Sequence, residues 1–378
     1  MAFAVGTAVA NIYYNQPLLD QIRASFGVSL HEIAWIPSLT QAGYAIGMLF
    51  IVPLGDMRER KRLVLLFSCL SALTLALVAC APGFFVAAIA SLMLGLSTMT
   101  PQFLIPFAAS LAEPHEKGKV VGTMMSGLLL GILLARTVSG FVGAAYGWRA
   151  MFGLASAFQV LLVILLAFTL PKSEPSYHGK YLGLLQSVLR IFKEQTILRE
   201  ASFFGAMLFG AFSAFWATLI YLMQTPTFHL GARAVGIYGL LGAVAAGFTP
   251  VVGGLVDRHP ARKVTGIMMA LTLFSFLVFG LSASSLVGIG IGVILMDVGV
   301  QGGHVSNQSR ILSLIPGAQS RLQTAYMFFY FLGGAIGSYL GTVSFGHYGW
   351  SGVCCSAGLL MVLGLLRYSI PTRKHPQV

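Results

Sequence analysis

The sequence predicts an all-α membrane protein of twelve transmembrane helices in two pseudo-symmetric six-helix bundles. Three observations carry this. Charged side chains make up only 9% of the 378 residues while hydrophobic ones reach 57%, with a mean hydropathy of +0.83. In a water-soluble domain about a quarter of the residues are charged, so this chain cannot cover a soluble surface. Apolar stretches of about 20 residues, the length a helix needs to cross a bilayer, recur along the chain between links rich in Gly, Pro or charge. Finally, three markers repeat at nearly one offset. Asp56 and Asp257, and Gly122-Thr123 and Gln323-Thr324, are 201 residues apart, and Gly147-Trp148 and Gly349-Trp350 are 202 apart. An internal duplication with both halves starting on the same side of the membrane is a parallel repeat.

Turn and charge punctuation places spans 1 to 6 at 2–23, 32–54, 63–81, 84–111, 120–143 and 149–170. Spans 7 to 12 fall at 201–223, 233–256, 264–282, 285–307, 322–345 and 350–370. The first span begins at Met1 without a basic leader region or a small-residue cleavage site, which reads as a retained helix and not a signal peptide. It is short at its cytoplasmic end, which leaves room for a few further N-terminal residues. Links such as Ala81-Pro82-Gly83 and Tyr146-Gly147-Trp148 are short enough to force antiparallel neighbours. The one long connection is 171–200. Within it Leu185, Val188, Leu189 and Phe192 share a helical face, with Arg190, Lys193 and Glu194 elsewhere, the pattern of a helix lying on the cytoplasmic leaflet. The expected organisation is a six-helix bundle at 1–170, a linker with this interfacial helix at 171–200, and a second bundle with a short tail at 201–378.

The net charge of +12 does not point to nucleic acid. Every Lys and Arg except Arg23, Arg136, Arg149 and Arg233 falls in the six stretches that share a side with the N-terminus. That is the positive-inside pattern, which sets orientation and places both termini in the cytoplasm. Cys69, Cys80, Cys354 and Cys355 lie in or beside apolar spans without metal-ligand spacing and read as buried small apolar residues. No metal site or cofactor is expected.

The loop after span 2 reads Pro53-Leu54-Gly55-Asp56-Met57-Arg58-Glu59-Arg60-Lys61-Arg62. Its counterpart after span 8 reads Gly253-Gly254-Leu255-Val256-Asp257-Arg258-His259-Pro260-Ala261-Arg262-Lys263. A positive-inside loop alone explains the basic residues but not the repeated Asp. Together these loops resemble the signature G-x-x-x-D-R-x-G-R-[RK] of the major facilitator superfamily. The second copy keeps Gly253, Asp257, Arg258, Arg262 and Lys263 with one extra residue. The first keeps Asp56, Arg60 and Lys61 but has Val52, Met57 and Glu59 in place of Gly, Arg and Gly. The resemblance implies the major facilitator fold. It also implies a conformational latch at Asp56, Arg60, Asp257, Arg258 and Arg262, made in one state and broken in the other.

Span 1 carries Asn11-Ile12-Tyr13-Tyr14-Asn15-Gln16-Pro17-Leu18-Leu19-Asp20. This phrase resembles the first helix of a bacterial branch of drug/proton antiporter-like carriers related to nucleoside and sugar efflux proteins. Polar amides need partners in lipid, so Asn11, Tyr14, Asn15 and Gln16 are expected to line a wet cavity, helix-helix hydrogen bonding being the alternative for either Asn. In span 5 such antiporters carry Gly-Pro where this chain has Ala135-Arg136. An Arg or Asp at the bilayer centre costs about 2.5–3.5 kcal/mol on insertion scales, so Arg136 should have a partner or water. Asp297, Gln301, His304 and Gln308 form one polar stripe on span 10. Asp297 reads as the only acid well inside a span and complements Arg136: loss of water favours its protonated form, and the guanidinium opposes that. His304 is a relay candidate, with a structural hydrogen-bonded role equally open. Gln41, Gln102, Trp216, Tyr221, Tyr326 and Tyr330 lie on helices that line the cavity in the family. Tyr44 shares span 2 with Gln41.

No HExxH, metal cluster, Ser–His–Asp arrangement or phosphate loop of the GxxxxGK[ST] type occurs, which argues against an enzyme or an ATP-driven pump. The expectation is a monomeric secondary carrier of the bacterial inner membrane in which a small-molecule substrate is exported against a proton. A proton-independent facilitator or importer of a small anion is the alternative.

Overall fold

A computed structural model describes residues 1–113, 115–172, 181–246, 254–256, 258–315 and 318–371. No β-strand occurs among them, and eight of their helices are long and apolar enough to cross a membrane. Two of the eight, Lys117–Thr169 and Gln319–Ser369, are each two crossings. A straight helix of that length would reach about 80 Å, far beyond the ~30 Å hydrocarbon layer. Each folds back at a glycine, Gly147 (φ 83°, ψ 164°) and Gly349 (φ 60°, ψ −151°), in backbone regions almost closed to residues with a Cβ. The tryptophan that follows packs down the hinge: Trp148 meets Phe26 edge-on at 5.5 Å, and Trp350 donates its indole N–H to Phe279 O at 3.0 Å. The repeated Gly-Trp marker is therefore a reversal with an aromatic anchor.

Span 1 departs from the expected continuous helix. It is helical over Ala2–Ala10, passes through turns at Asn11–Asn15 and a 3-10 turn at Gln16–Leu18, and resumes over Leu19–Phe26. Through the break, backbone N–H groups reach the carbonyl three residues back, as in Tyr13 to Ala10 and Leu18 to Asn15. Pro17 explains this, since it has no N–H and its ring crowds the carbonyl four residues earlier. Together with span 8, helical over Ala232–Ala246, this accounts for twelve crossings. Span 7 begins at Thr196, earlier than expected, and the amphipathic helix of the linker runs from Tyr181 to Glu194.

Two ends of the bundle differ. The basic end carries Arg60, Lys61, Lys119, Arg262 and Arg367; the far end carries Arg23, Arg149 and Arg233. The N-terminal and C-terminal sets of spans touch at the far end. Gln224 Nε2 donates to Asp20 Oδ2 at 2.7 Å, Tyr339 Oη lies 2.7 Å from His31 Nε2, and Trp35 packs on Tyr339. Spans 5 and 8 approach backbone to backbone: Thr137 Oγ1 donates to Gly236 O at 2.8 Å, and a Cβ on Gly140 would lie 2.5 Å from Ala232 O. The cysteines correct the sequence reading: Cys69, Cys80 and Cys355 are exposed on the outer face of the bundle and Cys354 is half-buried, none of them disulfide-bonded.

Candidate functional site

Arg136 is 1% exposed, one of the largest side chains wholly inside the protein. Its Nε donates to Gln16 Oε1 at 2.7 Å, so the broken stretch of span 1 meets span 5 here. Its guanidinium stands over three rings: Trp216 at 4.1 Å, Tyr13 at 4.9 Å and Phe212 at 5.2 Å. Aromatic faces attract a cation once water is excluded. Phe212 and Trp216 sit one turn apart on span 7, and the irregular turn in span 1 turns Tyr13 and Gln16 to the same spot. One donor stays unmet: Arg136 Nη2 has no hydrogen-bond partner.

Asp297 lies on the other side of the same junction. It is 5% exposed, and its Oδ1 also has no partner. Its Oδ2 rests against span 8, where a Cβ on Gly242 would come within 2.8 Å. One turn away, a Cβ on Gly239 would be 3.1 Å from Arg136 Cβ. The stem of Arg136 and the carboxylate of Asp297 thus lean on one glycine face of span 8, and the two side chains form no ion pair with each other. Buried polar atoms without partners are rare, and here an orphan donor and an orphan acceptor lie in one junction. Trp216 Nε1, Asn11 Nδ2 and Asn15 Oδ1 are unmet as well.

The other candidates separate into distinct places. Asn15 Nδ2 donates to Thr40 Oγ1 at 3.1 Å, and the Tyr14 carbonyl accepts from Ser139 Oγ. His304 sits two turns from Asp297, about 10 Å along the helix, toward the basic end. Gln308 Nε2 donates to its Nε2 at 3.0 Å, leaving Nδ1 to donate to Tyr326 Oη at 3.1 Å, a neutral imidazole. Tyr330 packs on His304 and stacks with Phe209 at 4.2 Å. Gln301 is half-buried between these groups. Gln102 Nε2 donates to Tyr44 Oη at 2.9 Å inside the first bundle. Tyr221 departs from its expected placement: its ring packs on Phe345 near the far end, with its hydroxyl unmet, away from Arg136. Gln41 is a clasp more than a cavity wall, its Nε2 donating to Ser338 Oγ at 3.0 Å and its Oε1 accepting from Ser213 Oγ at 3.2 Å.

A model of the Major Facilitator Superfamily matches residues 1–338 and 248–378. The chain is 39% identical over 366 residues to the "Uncharacterized transporter YgaY" of Escherichia coli O157:H7, covering 97% of this chain and 93% of that protein. The chain belongs to the Major Facilitator Superfamily. Two solved structures share the fold. A bacterial homolog of the human lysosomal transporter Spinster, inward-facing and occupied, aligns with a TM-score of 0.75 at 12% identity over 97% of this chain and 95% of that one. The nucleoside transporter NupG aligns with a TM-score of 0.73 at 14% identity over 97% of both chains. The chain is thus a multi-pass membrane transporter and not an enzyme.

The signature loops lie at the basic end. Arg60 pairs with Asp56 at 3.6 Å and donates to Pro106 O at 3.2 Å. Arg258 is exposed, and Asp257 lies outside the described residues. Arg262 pairs with Glu200 at 3.1 Å and donates to Tyr368 O and Ile370 O. A second buried acid, Glu200, lies one turn inside the start of span 7, its side chain fully buried among Arg262, Arg310 and Arg367. It was hidden at the linker boundary, one turn inside a helix that begins earlier than its charge pattern implies. Tyr13, Phe212, Ser213 and Ser338 also escaped sequence reasoning. The spacing of Phe212 and Trp216 was the available signal.

Proposed function

We propose that this transporter is a proton-driven secondary carrier of the bacterial inner membrane, with both termini cytoplasmic, that exports a small organic molecule by alternating access. It is best placed beside the drug/proton antiporter-like branch that span 1 resembles. The carrying observation is the junction of Arg136 and Asp297, two buried head groups that keep unmet polar atoms and form no direct ion pair. A carboxyl group closed off in this way is satisfied by a proton or by a ligand donor, and the two compete for one position. Such competition is what an exchanger needs. Six-helix units at 1–170 and 201–378, joined through 171–200, would rock about this junction. The far-end contacts support a state open toward the cytoplasm.

The test uses inverted membrane vesicles with an acid interior and a pH-sensitive dye. Nucleosides, sugars and lipophilic cations that raise the melting temperature of the purified carrier are added in turn. A transported compound should dissipate the gradient with the native chain and fail to do so with Asp297→Asn, which still binds it. Undiminished proton movement in that variant would remove Asp297 from the coupling path. A second reading, a proton-independent facilitator of a small anion, is favoured by the unmet Arg136 Nη2 donor. It predicts uptake without any dye response.

A further inference from the structure

We propose that the groove between the start of span 7 and the end of span 12, at the basic end, is a binding site for the phosphate of an anionic phospholipid. The groove has a volume of about 290 Å³ and is lined by Thr196, Arg199, Glu200, Phe203 and Arg367. Its floor is the buried carboxylate of Glu200, which pairs with Arg262 at 3.1 Å, with Arg367 at 3.4 Å and with Arg310. One carboxylate serves three guanidinium groups, and Arg199 stands on the rim as a fourth cation, its Nη1 donating to Lys193 O at 2.9 Å. The site therefore carries surplus positive charge that Glu200 alone does not balance. Arginine presents a planar fork that matches two oxygens of a phosphate.

A second observation selects a lipid over a soluble anion. Leu359, Leu363 and Leu366 are 58%, 42% and 58% exposed, three and four residues apart along the outward face of span 12. This apolar stripe runs directly up to Arg367, and Phe203, 38% exposed, continues it on span 7. An acyl chain fits the stripe while the headgroup fits the groove, an amphipathic pairing at the depth where basic pockets between helices take lipid phosphates.

The test places the full chain in nanodiscs of phosphatidylcholine with or without phosphatidylglycerol, and in detergent with sodium phosphate alone. Retained lipid is read by native mass spectrometry and stability by melting temperature. Phosphatidylglycerol should be retained and should raise the melting temperature, and phosphate alone should do neither. Arg199→Gln, exposed and outside the Glu200 ion pairs, should weaken phosphatidylglycerol binding about fivefold without changing the melting temperature in phosphatidylcholine. Retention by Arg199→Gln equal to that of the native chain overturns the site. A stabilisation by sodium phosphate equal to that by phosphatidylglycerol overturns the lipid as its occupant.

Discussion

Replacing Gln41 with Ala should open the far end of the carrier. Gln41 is 2% exposed, and its amide joins span 2 to Ser338 of span 11 and to Ser213 of span 7, both fully buried. The Ala variant loses both hydrogen bonds and leaves two buried hydroxyls short of a partner. Each such bond contributes about 0.5–1.5 kcal/mol net, near 0.6 when measured between membrane helices. Two bonds therefore shift the closed-to-open balance by about 1–2 kcal/mol, a factor of roughly 5 to 30. Spin labels at Ala24 and Thr227, in a background without the native cysteines, read the far-end distance by pulsed electron resonance. The variant should populate a longer distance that the native chain lacks. Ser338→Ala should give about half the shift. Gln102→Ala should give none, because its bond to Tyr44 stays within the first bundle. An unchanged distance distribution in Gln41→Ala would show that the far end is held by packing alone and refute the clasp.

Two further outcomes follow from the same geometry. Glu200→Gln leaves Arg262, Arg310 and Arg367 without their shared counter-charge and should destabilise the carrier by about 3–5 kcal/mol, read as a lower melting temperature in detergent; an unshifted melting curve would mean the three arginines are balanced elsewhere. Gly140→Val places a side chain against Ala232 O. It should hold spans 5 and 8 apart and lengthen the same far-end label distance, and a native distance would mean that span 8 yields to the added bulk.

The sequence made the architecture readable because its physical requirement is repetitive. Each crossing needs about 20 apolar residues, and each reversal at 147 and 349 needs a glycine in a backbone region closed to other residues, so both left marks in the residue pattern. Arg136 and Asp297 were legible for the opposite reason, since charge inside an apolar span stands out against its surroundings. What stayed hidden depends on direction. Tyr13 faces Arg136 only because Pro17 breaks the helical register, and Tyr221 points to the far end despite sharing span 7 with Trp216. Gln41 looked like a cavity residue because the sequence marks it as polar and buried, which fits a clasp between helices equally well. Glu200 was obscured by a helix start that polar flanking residues blur.

The position of the charge pair says why closure and occupancy should be linked. Gly236, Gly239 and Gly242 lie on span 8 at helical spacing, and the first lets span 5 approach so closely that Thr137 reaches its carbonyl. The second faces Arg136 and the third faces Asp297. The seam that shuts the far end is thus continuous with the wall of the site. Small residues are needed there because helices in lipid gain affinity from close packing and not from hydrophobic exclusion. A ligand or proton that moves either head group by a fraction of its own width must alter the packing of span 5 on span 8. Packed interfaces of this kind switch between arrangements more readily than they deform gradually. Far-end opening measured with the labels at Ala24 and Thr227 should therefore change with the occupant of the Arg136–Asp297 junction even when Gln41 is intact.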